Sequence, residues 1–253
     1  MNRTSISDLK SKAKDQLLGN YKIATGSFAL LCVLIYAIMG IIISSISSLP
    51  QIAGQVLAML IGAVTTVFSV GYIYILRKIT IGQRPVISDL FFAFRNHPDK
   101  VIIISLILAA IQFILLMPST IVQERIMTGE EMHLIDGKMF LLWVVLYLIG
   151  LIISFVIQLM FAMCYMIYID DPEIPVRACI AESISMMKGN KFRYFYMILS
   201  LIGYWLLAIL SLGIAVLFVV PFQIMTMIEF YIDLKGEDSV EVITESYGDY
   251  FGI

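Results

Sequence analysis

Polar-studded stretches alternate along the chain with long apolar runs, and the runs set the architecture. They extend from Ile23 to about Ser45, Ile52 to Leu76, Val101 to Met117, Phe140 to Ile169 and Tyr194 to Tyr231. A helix rises 1.5 Å per residue, so crossing a hydrocarbon core ~30 Å thick takes about 20 residues. The last run is close to twice that length and must fold back, and Leu212-Gly213 stands at its midpoint. The pattern therefore predicts an all-α, polytopic membrane domain over residues 1–236 with six transmembrane helices, at about 23–45, 52–76, 101–117, 140–169, 194–212 and 213–231. The fourth run is long enough to tilt or to project from the membrane. The third barely spans.

A different periodicity precedes every second crossing. Before the first, Ser5 can cap a helix with Asp8 three residues on, and Ile6, Leu9, Ala13 and Leu17 follow at helical steps. Before the third, "VISDLFFAF" sets Ile87, Leu90 or Phe91, and Phe94 on one face and ends at Arg95-Asn96. Before the fifth, Pro175 suits a first helical position, and Val176, Ile180, Ile184 and Met187 recur before Gly189-Asn190. Each stretch reads as an amphipathic helix lying at the membrane interface. Each asparagine reads as the elbow where that helix turns into a span, since Gly and Asn accept the left-handed conformation that ends helices. The expected fold is three repeats of interfacial amphipathic helix plus transmembrane hairpin.

Charge supports the same layout. All but two of the 17 lysines and arginines, Arg125 and Lys138, fall in segments that six crossings would place on one side. Cytoplasmic loops carry that excess, so both termini are expected in the cytoplasm. Composition agrees, at 60% apolar residues, 14% charged and a mean hydropathy of +0.93. The net charge of −2 excludes little, because charge is segregated along the chain. No nucleic-acid partner is expected. The first apolar run is longer than the h-region of a cleaved signal peptide, so it reads as a retained span.

Candidate chemistry is sparse. The three cysteines, Cys32, Cys164 and Cys179, form no disulfide or metal-ligand spacing, and His97 and His133 are the only histidines. No catalytic triad, zinc spacing or nucleotide loop is present, so neither an enzyme nor a bound cofactor is expected. Gly54, Ala58, Gly62 and Thr66 make a small-residue stripe, read as helix packing against a neighbouring span rather than self-association. Glu229, with Asp233 further along, reads as a hydrated interfacial carboxylate, the alternative being a partnered or proton-carrying group. Pro221 predicts a kink. Gln112 and Gln158 are expected to hydrogen-bond across helices rather than line a pore. Asp170-Asp171-Pro172-Glu173 reads as a solvated helix exit rather than a cation site. Ser44, Ser45, Ser47 and Ser48 beside Pro50 read as a turn. The outer loop, Pro118 to Lys138, with Glu124, Glu130, Glu131, His133 and Asp136, is too small for a catalytic domain. Residues 237–253, bearing Glu237, Asp238, Glu241, Glu245 and Asp249 among Tyr247, Tyr250 and Phe251, read as a flexible acidic tail or as a docking peptide.

The stretch "SISMMKGNKFRYFYMILSLIGYWLLAILSLGIAVLFVVPF", followed by "EFYIDL", resembles the bacterial integral membrane family known as domain of unknown function 975. The likeness rests on the Met-Lys-Gly-Asn elbow, the run ending at Gly203, the turn at Leu212 to Ile214, Pro221, Phe230-Tyr231 and the Ser-Asp-Leu-Phe helix at 88–91. The resemblance implies a bacterial cytoplasmic membrane protein and carries no activity with it. More distantly the layout is similar to the membrane domain of some glycerophosphodiester phosphodiesterases, whose catalytic domain has no counterpart here. The expected role is a non-enzymatic envelope or transport accessory that organises anionic lipids or a membrane-protein partner, with Lys22, Lys100, Lys191 and Arg193 on headgroups. The alternative is a small-solute or lipid transporter or channel using Glu229, Gln158 and Gln112.

Overall fold

The computed structural model describes residues 4–46, 50–128 and 137–236. Ser47, Ser48, residues 129–136 of the outer loop and the acidic tail from residue 237 lie outside the described residues. Every regular element among the described residues is helical, and six helical segments are long and apolar enough to cross a membrane.

The chain opens with α1, Ile6–Leu17, capped as its sequence predicts: Ser5 Oγ accepts the Asp8 N–H at 3.2 Å and donates to Asp8 Oδ2 at 2.7 Å. Leu9, Ala13 and Leu17 are fully buried. Their partner is not hydrocarbon but α11, Val216–Lys235, the last helix among the described residues. The greasy face of α1 is therefore a protein contact, and its outer face alone is left for the membrane surface.

Helix α2, Tyr21–Ile46, leads to α3, Gln51–Thr80. A 3-10 turn at Ile87–Phe91 and a single α-turn, α4, Phe92–Arg95, then fold back on α3. This is a tighter element than the amphipathic helix predicted there. Its fit explains why. Gly71 of α3 lies so close to the turn that a Cβ built on it would sit 1.9 Å from the Leu90 carbonyl oxygen. The rings of Tyr74 and Phe92 stack at 3.8 Å between centroids beside this contact.

Helix α5, Pro98–Thr128, is far longer than the short third span expected, because Pro118 lies inside it rather than ending it. The hydroxyls of Ser119 and Thr120 donate to the Leu116 carbonyl there, at 2.6 and 2.9 Å. These are back-bonds of hydroxyls within a helix, and the carbonyl that Pro118 leaves without a donor is that of Ile114. Conversely, the predicted fourth span is broken into α6, Gly137–Phe161, and α7, Cys164–Asp170. The break is stitched from α8, Val176–Met187, whose Ser183 Oγ donates to the Met160 carbonyl at 2.8 Å and accepts the Met163 N–H at 3.3 Å. That bond turns the buried face of α8 to Cys179, Ser183 and Met187, one position off the stripe that periodicity picks out. The fifth crossing is likewise divided, into α9, Lys191–Leu199, and α10, Ile202–Leu210. The chain then reverses through Leu212 and Gly213, both left-handed, into α11.

Candidate functional site

Three elbows lie at one end of the bundle and share a device. Asn20, Asn96 and Asn190 each donate a side-chain N–H to the carbonyl four residues back, on Gln16, Phe92 and Met186, at 3.0, 3.0 and 2.7 Å. Carbonyls at a helix end lack a partner within the helix, and these amides supply one. The left-handed residue is Gly19 in the first elbow and Gly189 in the third, at φ 89° and 82°. In the second it is His97, at φ 51°, not Asn96. Asparagine is thus the cap at all three elbows and the hinge at none.

Around the elbows the ionisable groups are sorted into paired and unpaired sets. Asp170 joins three helices: its Oδ1 receives Arg77 Nε at 3.2 Å, and its Oδ2 receives Tyr231 Oη at 2.8 Å and Lys235 Nζ at 3.0 Å. Arg193 bridges Asp233 Oδ2 and the Thr4 carbonyl, both at 2.6 Å, while Asp233 Oδ1 accepts the Thr4 N–H. Lys78 pairs with Asp89 at 3.0 Å. Lys100 donates to the Pro172 carbonyl at 2.7 Å, 3.9 Å from Glu173, which also meets His97. Lys10 donates to the Ser200 carbonyl at 2.9 Å, and burial pulls its pKa below the ordinary lysine value.

Of the four cations expected on headgroups, Lys100 and Arg193 are therefore engaged within the protein, Lys191 is half-buried and Lys22 is exposed. Lys14, Arg84, Arg95, Arg177 and Lys188 are exposed at the same end. Neither they nor Lys22 hold a carboxylate among the described residues.

Asp170 is consequently a structural ion-pair centre, while Asp171 and Glu173 remain exposed as the solvated helix exit expected there. Among the described residues no three His, Cys, Asp or Glu side chains gather as a metal site. Cys164 and Cys179 are free and buried face to face, the Cys179 thiol donating to the Cys164 carbonyl at 3.2 Å. Glu229 is 1% exposed and accepts Gln16 Nε2 at 2.7 Å. It is the partnered carboxylate of the α1–α11 contact, so the hydrated-interface reading is corrected.

Inside the bundle, α3, α5, α6, α7 and α9 surround a cavity of about 520 Å³. Gln112 and Gln158 both line it and make no side-chain hydrogen bond among the described residues, contrary to the expected inter-helix bonds. The small-residue stripe also turns towards this space. Gly62 and Thr66 line the cavity, a Cβ on Gly62 would meet nothing within 4 Å, Ala58 is exposed and Gly54 is buried. Close backbone approaches occur at Gly71 and at Gly150, where a Cβ would lie 2.9 Å from the Leu115 carbonyl oxygen. Neither belongs to the stripe.

With this geometry in hand, residues 1–238 match the family described as "Protein of unknown function (DUF975)". The chain belongs to that family. No curated protein and no solved structure matches the chain. The DUF975 chain thus stands on its own geometry: three capped elbows and exposed cations at one end and a polar-studded cavity within.

Proposed function

We propose that this DUF975 protein is a non-enzymatic, multi-pass protein of a bacterial cytoplasmic membrane, acting as an envelope or transport accessory that gathers anionic lipid. The elbow end faces the cytoplasm, with both termini, and the chain is built as three units of surface helix plus hairpin. The back-bonded asparagine common to the elbows supports the three-unit reading.

One observation carries the lipid role. Six cations at the elbow end, Lys14, Lys22, Arg84, Arg95, Arg177 and Lys188, are exposed, while neighbouring cations are spent on internal pairs. Exposed cations at this level attract an anionic leaflet by about 1 kcal/mol each. Lys22 keeps its proposed place on a headgroup, and Lys191 can reach one by extending its stem. Lys100 and Arg193 act instead as internal ties. A membrane-protein partner with an acidic inner surface would use the same cations.

Lipid composition around the purified protein tests this. In nanodiscs made from a mixture of phosphatidylglycerol and phosphatidylcholine, the wild-type protein is expected to enrich phosphatidylglycerol in its annulus. Replacing Lys14, Lys22, Arg95 and Lys188 together with glutamine should abolish most of that enrichment without changing thermal stability. Equal enrichment in both proteins contradicts the role.

A further inference from the structure

The cavity gathers three polar side chains that bond nothing among the described residues, on two facing helices. Ser154 is 4% exposed, its Oγ has no hydrogen-bond partner, and it lines the cavity with Gln112 and Gln158. Leaving an amide or hydroxyl unpaired in an apolar setting costs about 1–3 kcal/mol. Ser154 is buried, whereas Gln112 and Gln158 are exposed at the mouth of the cavity, on the face that hydrocarbon would cover. Three unbonded groups converging on one space point to an occupant that bonds them.

Charge, depth and the shape of the wall narrow its chemistry. Among the described residues the lining holds no Asp, Glu, Lys, Arg or His, so nothing there would neutralise a phosphate, carboxylate or ammonium. Thr66 on α3 and Gln112 on α5 each lie fourteen residues from the elbow-side ends of their helices, Thr80 and Pro98. That is ~21 Å along the axis, well inside a ~30 Å core where a charged group is expensive. The remaining wall is largely apolar, including Leu108, Phe161, Ile198 and Met227. Gly62 and Phe155 line the cavity and are also exposed, so it opens sideways onto the face that hydrocarbon covers. The volume of about 520 Å³ falls in the range of ~300–1,000 Å³ that holds small ligands.

We propose that this cavity is a binding site for a neutral glycerolipid, entering from the bilayer, whose hydroxyl and ester groups bond Gln112, Gln158 and Ser154 while its hydrocarbon lies on the apolar wall. The amides supply both donors and acceptors, which matches a hydroxyl beside an ester carbonyl. A free polyol has the same hydroxyl chemistry but no use for the apolar wall or the lateral opening. This site is independent of the exposed elbow cations, and either can exist without the other.

A photoactivatable diacylglycerol in phosphatidylcholine nanodiscs tests the proposal on the full-length protein. Saturable cross-linking to α5 and α6 is expected, displaced by dioctanoylglycerol but not by phosphatidylglycerol or free glycerol. Replacing Gln112 and Gln158 together with leucine should weaken labelling about tenfold, the worth of one or two neutral hydrogen bonds. Gly62→Leu, which grows into open space, should block it with thermal unfolding unchanged. Labelling that is absent, that survives in folded variants, or that phosphatidylglycerol competes equally well overturns the site. Displacement by free glycerol and not by dioctanoylglycerol overturns the lipid in favour of an aqueous solute. Should both variants fail to fold, the competition pattern in the wild-type protein still decides.

Discussion

Gly71→Ala is expected to be the most damaging single-methyl change in the protein. The added carbon would lie 1.9 Å from the Leu90 carbonyl oxygen and 2.5 Å from its carbon, so backbone, not a pliable side chain, stands in the way. Either α3 must move or the turn at Ile87–Phe91 must lift off it. Lifting the turn would expose Leu90 and Ala93, both fully buried, and pull Asp89 from Lys78. Overpacking ordinarily costs about 1–3 kcal/mol, and a backbone obstacle puts this case at about 3 kcal/mol or more. Thermal unfolding in detergent, with the yield of monodisperse protein, measures the effect. Gly62→Ala, on the same helix but facing open space, is the control and should leave both unchanged. A Gly71→Ala protein as stable as the wild type would mean that the turn does not sit on α3 as described.

Asp170→Ala should be nearly as severe, for an electrostatic reason. Asp170 accepts from Arg77, Tyr231 and Lys235, with the Arg77 side chain only 10% exposed and that of Asp170 21% exposed. Removing the carboxylate strands the guanidinium where water cannot hydrate it, and breaking a buried pair in this way costs about 3–5 kcal/mol. Lys235 is less enclosed, at 29% exposed, so Lys235→Met should cost clearly less. The pair of variants separates burial from charge counting, because both remove one partner of the same carboxylate. The unfolding midpoint is expected to fall steeply for Asp170→Ala and slightly for Lys235→Met. Equal, small effects would show that the cluster is a solvated surface contact.

Much of the framework was legible because hydrocarbon imposes a one-dimensional code. A run of about 20 apolar residues needs no knowledge of its neighbours to announce a crossing. The reversal at Leu212-Gly213 followed from length alone, and Ser5 with Asp8 from local capping chemistry. What remained hidden was partnership across the chain. Nothing local in Gln16 or Glu229, which are 213 positions apart, says that one bonds the other. Periodicity marks the greasy side of α1, but it cannot tell lipid from the apolar flank of α11.

Two signals were present and pointed elsewhere. Pro118 suggested an end to the third crossing, yet a proline removes only one backbone bond, to the Ile114 carbonyl, and α5 runs through it. Ser183 lies beside the apolar stripe of α8 rather than in it, and only the break at Met163, which it bonds, shows why that side is the buried one. The stripe Gly54, Ala58, Gly62 and Thr66 suggested close packing because small residues permit it, and Gly54 is buried, but Gly62 and Thr66 line a cavity instead. They equally permit a void, and the choice depends on what the facing helices bring. Here they bring Gln112, Ser154 and Gln158 and leave a cavity.

The account stands or falls on the three elbows sharing one side of the membrane. Membrane-impermeant maleimide labelling of intact and permeabilised cells tests it directly, using Arg84→Cys and Lys188→Cys at the elbow end and Lys138→Cys at the other. The background is Cys32→Ala, since Cys164 and Cys179 are buried. Intact cells should label Lys138→Cys alone, with Arg84→Cys and Lys188→Cys reacting only after permeabilisation. Labelling of Arg84→Cys and Lys188→Cys from opposite sides, or of Lys138→Cys from the same side as either, would contradict it.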